Sequence, residues 1–163
     1  MSDALAAAAH LRTRPNVDPA RIGVLGFSWG ASAALRTSSA GYRRGVPGGG
    51  FRAAAAYDPL CMSGRGDLPR DAQERSTNLL PDIEVPTLIL MGADDVDTPS
   101  VAQNCSIAVG VARRAGQPVA IELYPGAGHV FDMGPSRPPQ AAAKAMNDLL
   151  AFFSRHLGKG GGA

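Results

Sequence analysis

Arg21-Ile22-Gly23-Val24-Leu25-Gly26-Phe27-Ser28-Trp29-Gly30 is the stretch that decides the fold, together with Ala31-Ser32-Ala33-Ala34-Leu35 behind it. The run from Ile22 to Gly26 is apolar without alternation, which reads as a strand buried on both faces, as in a parallel sheet. From Trp29 to about Ser39 the composition turns helical. Between them lies Gly26-x-Ser28-x-Gly30, a G-x-S-x-G pattern in the strand–turn–helix context that makes it informative. The spacing has a steric reason. A chain that reverses sharply at the serine needs a small residue on each side. The reversal lifts the hydroxyl above the sheet and leaves the Trp29 N–H free to donate to an oxyanion.

Outward from that turn, the chain alternates. Residues 1–13 are alanine-rich and helical in bias, and Pro15 ends the run. Gly41 to Gly50 reads as a Gly/Pro/Arg loop, and Phe51 to Tyr57 as a second strand. That strand holds four alanines, so burial rather than propensity has to make it. Asp58 to Ile83 is a long polar connection with a short helix expected near Asp71–Ser76, and it reads equally as a lid or as a solvated loop. Pro86-Thr87-Leu88-Ile89-Leu90-Met91 is the clearest strand. Ser100 to Arg114 reads as a helix bracketed by Pro99 and Gly116. Val119 to Tyr124 is the last strand. Gln140 to Leu157 is a terminal helix with Ala143, Met146, Leu149, Leu150, Phe153 and Leu157 as its apolar stripe. The pattern implies an α/β class: a partial parallel sheet of about four strands flanked by helices, with right-handed crossovers. Residues 158–163 read as a flexible tail.

The chain has 163 residues, 45% hydrophobic and 18% charged, with a formal charge of +2. That size supports one domain with a real core. The ordinary apolar fraction and small net charge exclude extensive disorder, and the mixed charges argue against a nucleic-acid binder. No apolar run is long enough for a membrane helix. Met1 to Leu11 lacks the cationic lead of a signal peptide, so a cytoplasmic setting is expected. The two cysteines, Cys61 and Cys105, read as free buried thiols in preference to a bonded pair.

A serine hydroxyl needs a base to act as a nucleophile. His129, in Tyr124-Pro125-Gly126-Ala127-Gly128-His129-Val130-Phe131, follows the last strand and is the candidate. His10 precedes the first strand, and His156 lies in the terminal helix, expected at its surface. The base needs a carboxylate. Asp95, in Gly92-Ala93-Asp94-Asp95-Val96-Asp97, falls on the turn after the clearest strand. Asp94 reads as solvated, and Asp97 as solvated or a helix cap. All three candidates fall at carboxyl ends of strands, where ligands of open parallel sheets sit. Phe27, Trp29 and Phe131 are candidate substrate walls, with plain core packing the alternative for each.

The order Ser28…Asp95…His129 is that of α/β-hydrolases. Three stretches, Asp18 to Gly30, Pro86 to Asp95 and Tyr124 to Phe131, resemble the dienelactone hydrolase family of that superfamily. The resemblance runs from about residue 3 to 157. It implies a Ser28–Asp95–His129 triad, a Trp29 oxyanion donor, and hydrolysis of a small-molecule ester or lactone without metal or organic cofactor. It also raises the expectation of a Cys61–Cys105 bond, and with it an extracytoplasmic setting.

Three departures stand out. The type enzymes carry cysteine at the elbow, where this chain has Ser28. An arginine that holds the substrate carboxylate is replaced by Met133, with Arg137 nearby but off register. Several strands usually precede the helix represented by residues 3–13, so residues 1–157 read as the C-terminal part of the usual domain. The expectation is an oxyanion hole with one donor and an apolar sheet edge at Arg21–Leu25, open to pairing with a second copy. A longer relative would be active and this chain alone impaired. The alternatives are a broader carboxylesterase or peptidase-like hydrolase, and a silent domain acting through that edge. A nucleotide-binding fold is disfavoured, because Gly23-Val24-Leu25-Gly26 lacks the full G-x-G-x-x-G turn.

Overall fold

The computed structural model describes residues 2–46, 48–63, 77–78, 80, 82–96, 102–133 and 137–158. The helix expected near 71–76, most of the 58–83 connection, Asp97, and the tail beyond Gly158 lie outside the described residues. In chain order the elements are α1 (Ser2–Arg12), β1 (Gly23–Phe27), α2 (Trp29–Thr37), α3 (Ala40–Arg43), β2 (Ala53–Tyr57), β3 (Met62–Ser63), β4 (Thr77–Asn78), β5 (Thr87–Gly92), α4 (Ala102–Arg114), β6 (Val119–Tyr124) and α5 (Pro139–Leu157).

Four strands form one parallel sheet in the order β1-β2-β5-β6. Strands β3 and β4 make a separate antiparallel pair. Parallel neighbours need crossovers, and α2 and α4 supply two of them. Alternation along the central strands divides the core. Ala56, Ile89 and Met91 pack with Ala31 and Leu35 of α2 and with Cys105 and Val109 of α4. Ala55, Tyr57, Leu88 and Leu90 face Ala145 and Leu149 of α5. The alanines of β2 are fully buried between β1 and β5. Their small side chains let helices approach both faces, so burial overrides weak strand propensity.

Several expectations change. β1 is not buried on both faces. It ends the described sheet, and Leu25 is 41% exposed. The Gly41–Gly50 segment is not all loop, because α3 forms one turn at its start. The buried stripe of α5 is rotated from the expected one. Ala145 and Leu149 are buried and Ala141, Phe152 and Phe153 pack beside them, whereas Met146 and Leu150 are 50% and 59% exposed. The floor beneath α5 is built from Tyr57, Tyr124 and Phe131, and Ala145 and Leu149 are the helix residues buried against it. His156 is not at the open surface. It is half-buried with its ring 4.7 Å from Phe152, and burial, with Arg155 and Arg52, lowers its pKa. The cysteines are not free thiols: Cys61 and Cys105 form a disulfide in the α2–α4 core layer. The local sequence could not show that the segment after β2 returns to α4.

Candidate active site

The sharp turn between β1 and α2 puts Ser28 at φ 51° and ψ −115°, a left-handed conformation costly for a residue with a Cβ. Its N–H donates to the Tyr57 carbonyl at 2.9 Å, tying the turn to the end of β2. The glycine requirement falls on one side only. A Cβ at Gly26 would lie 2.1 Å from the Gly30 carbonyl oxygen, whereas one at Gly30 would meet nothing within 4 Å. The expectation that both flanking glycines relieve crowding therefore holds for Gly26 alone.

The turn after β5 carries Asp95, whose side chain is fully buried. It is shaped by hydrogen bonds from Ala93 N–H to the Tyr124 carbonyl at 3.0 Å and from Asp94 N–H to the Ala127 carbonyl at 2.9 Å. Asp94 itself points outward and is exposed. Gly92 permits this approach, since a Cβ there would lie 2.4 Å from the Gly128 carbonyl oxygen. The loop after β6 returns His129 between the other two turns. Its Nε2 lies 3.1 Å from Ser28 Oγ, and its Nδ1 lies 2.8 Å from Asp95 Oδ2. The three side chains expected to meet are thus in contact along one rim of the sheet. His10 is exposed at the end of α1 and His156 lies on α5, so neither joins them.

Trp29 is 78% exposed beside the serine. As the first residue of α2, its N–H has no carbonyl of its own helix to bond. Phe27 is partly buried and stacks on Tyr57 at 5.0 Å between ring centroids. Phe131 is a correction: it is 3% exposed, with its ring 5.8 Å from Tyr57 and 5.1 Å from Tyr124, so it builds the core under the site instead of a substrate wall. Burial is the main cause that drives the Tyr57 pKa up to about 12, so this phenol stays neutral. Met133 is 53% exposed. Arg137 lines a cavity of about 260 Å³ with Tyr57, Asp132 and Met146. Among the described residues no group of three or more His, Cys, Asp or Glu side chains could hold a metal ion.

The sequence reading missed Asp58. Its side chain is buried, its backbone is left-handed (φ 45°), and its carboxylate accepts N–H bonds from both Gly92 and Val130 at 2.8 Å. The available signal was positional: Asp58 directly follows a fully buried strand, at the same rim as Ser28 and Asp95.

A family model described as the dienelactone hydrolase family matches residues 1–157. The chain belongs to the dienelactone hydrolase family. The four-stranded parallel sheet and its flanking helices are correspondingly those of an α/β-hydrolase fold. Among solved structures, the esterase Est2 of Thermogutta terrifontis is 20% identical, with a TM-score of 0.72 over 96% of this chain and 63% of that one. A dienelactone hydrolase-like promiscuous phosphotriesterase, P91, from metagenomic libraries is 23% identical, with a TM-score of 0.67 over 95% of this chain and 60% of that one. An acylaminoacyl peptidase is 19% identical, with a TM-score of 0.67 over 92% of this chain and 26% of that one. This family member therefore spans less than two thirds of the length of each of these structures. No curated protein matches it. Among the described residues no helix is long and apolar enough to cross a membrane.

Proposed function

We propose that the chain carries a serine hydrolase centre that cleaves a carboxylic ester or lactone, with Ser28 as nucleophile, His129 as base and Asp95 as its orienting acid. One observation carries this reading: a single imidazole bridges Ser28 Oγ at 3.1 Å and a fully buried Asp95 carboxylate at 2.8 Å. Membership of a hydrolase family supports it.

In the proposed reaction His129 Nε2 takes the Ser28 proton as Oγ bonds to the substrate carbonyl carbon. Asp95 holds the Nδ1–H tautomer and stabilises the imidazolium. The Trp29 N–H donates to the oxyanion. The carbon–oxygen bond to the alcohol then breaks, and His129 returns the proton to the leaving oxygen. Water, deprotonated by His129, attacks the acyl-enzyme, frees the acid and restores the Ser28 hydroxyl. No metal or organic cofactor takes part. The exposed Trp29 indole is the apolar surface offered to the acyl or alcohol group, and the absence of a cation at Met133 disfavours a substrate held by its carboxylate.

A fluorophosphonate tests this. Attack by Ser28 Oγ forms an oxygen–phosphorus bond, breaks the phosphorus–fluorine bond and releases fluoride, with the proton passing to His129. An esterase of the same fold is phosphoramylated by tabun, which makes an organophosphorus probe apt. Stoichiometric labelling at Ser28 that disappears in His129→Ala is the expected result. Folded protein that stays unlabelled would overturn the reading.

A second reading is favoured by β1. This strand ends the sheet among the described residues, with Leu25 exposed, and unpaired strand edges invite pairing. The chain would then act as a weakly active domain paired through β1, with a second copy as one partner. Slow labelling that speeds up with protein concentration, and loses that dependence in Leu25→Lys, would support it. A rate independent of concentration would dismiss it.

A further inference from the structure

We infer that Asp58 is a positioning residue for the His129 site: its carboxylate clasps the acid turn to the histidine loop and so sets the distance between Asp95 and His129. The inference rests on the hydrolase reading above for its functional consequence, and on geometry of its own for the clasp.

Asp58 stands where all three turns converge. The residue before it, Tyr57, accepts the Ser28 N–H at 2.9 Å. Its own N–H donates to the Leu90 carbonyl at 3.0 Å, fixing it against β5. Its Oδ1 accepts the N–H of Gly92, three residues before Asp95. Its Oδ2 accepts the N–H of Val130, the residue after His129. Each contact is 2.8 Å, and the side chain is buried. Val130 sits at φ 54°, a conformation that β-branched residues rarely hold without outside support. The Asp58 carboxylate supplies that support. With it the loop turns so that the imidazole points back toward Ser28.

Only an ionised carboxylate offers two free acceptor oxygens at once. Burial, the largest influence, pushes the Asp58 pKa up to about 6; nearby Asp95 adds to the rise, while the two N–H bonds and His129 oppose it. The titratable groups that act on it among the described residues are Asp95 from the turn after β5, His129 from the loop after β6, and Tyr57 from its own strand. The clasp is therefore intact at neutral pH and loosens as acid protonates it.

The test is Asp58→Asn, which keeps the shape but turns one acceptor into a donor facing an N–H. The labelling rate at Ser28 should fall by about 10- to 100-fold at pH 7.5, the scale of loss that accompanies a misplaced catalytic group. One ionisation should also vanish from the acid limb of the rate–pH curve, which a merely structural role would leave unchanged. A rate within twofold of wild type with the same acid limb would refute the inference. Should the variant not fold, amide exchange of the wild-type protein decides. Gly92 and Val130 should lose protection together as the pH falls through about 6. Protection kept at both amides to pH 4 would refute the clasp. Folded wild-type protein that is never labelled sinks the hydrolase reading and not the clasp, which the amide exchange then judges alone.

Discussion

Replacing Gly92 by alanine should separate the acid turn from the histidine loop. The new methyl would lie 2.4 Å from the Gly128 carbonyl oxygen, 2.5 Å from that of Ala127 and 2.9 Å from the Ala127 carbonyl carbon. Ordinary contact begins at 3.4 Å, so the loop must withdraw by about 1 Å. All three obstacles are backbone atoms, and no side-chain rotation relieves them. The withdrawal pulls directly on the 2.8 Å Asp95–His129 contact and the 3.1 Å His129–Ser28 contact. A displacement of this size costs roughly 10²-fold in rate. Overpacking of this kind also costs about 1–3 kcal/mol of stability. The assay is the second-order rate of fluorophosphonate labelling at Ser28, read by intact mass beside a thermal melt. Gly110→Ala is the control. Gly110 lies in α4 and its new methyl meets only the Arg114 side chain, at 3.7 Å. That variant should label normally and melt about 2–4 °C higher, because alanine stabilises a helix by about 1 kcal/mol over glycine. Folded Gly92→Ala protein that labels at the wild-type rate would refute the claim that close approach at this glycine assembles the site.

Three further outcomes are expected. Ser28→Gly should abolish labelling yet raise the melting temperature by a few degrees, because glycine relieves about 1–3 kcal/mol of left-handed strain at φ 51°; a lower melting temperature would contradict that. Asp58 titrates near 6 when folded against 3.8 unfolded, so the native state binds the extra proton and this group's contribution to stability is full below 3.8 and lost as the pH rises through 6. At about 1.36 kcal/mol per pH unit, urea unfolding should show Asp58→Asn gaining on the order of 3 kcal/mol on wild type between those limits, and a pH-independent difference would count against the buried carboxylate. Replacing both Cys61 and Cys105 by alanine, across a separation of 44 residues, should cost about 4 kcal/mol if chain entropy dominates, measured by denaturant unfolding without reductant; no loss would mean that the bond is absent in solution.

How much of the site could be read from the chain follows from how local each cause is. Gly26, Ser28 and the helix behind them lie within a few residues, so their spacing announced the turn. Asp95 and His129 were legible because each follows a strong strand, and parallel strands deliver such residues to one rim. Phe131 was misassigned by the same logic. It lies two residues past His129, but the left-handed step at Val130 turns its ring inward onto Tyr57 and Tyr124. The apolar face of α5 was misjudged because hydropathy favoured Met146 and Leu150, whereas the face turned to the sheet carries Ala145 and Leu149, and which face turns inward is set by the sheet and not by the helix.

The sequence by itself determined the alternation of strands and helices, the elbow and the order of the three side chains that meet at the rim, because each depends on periodicity or on steric demands within one turn of chain. Only the tertiary structure decided the Cys61–Cys105 bond, the inward face of α5 and the place of Asp58. The first two depend on which distant surfaces the fold brings together, and the last on backbone N–H groups of two separate turns, since a buried N–H takes whatever acceptor the fold brings to it.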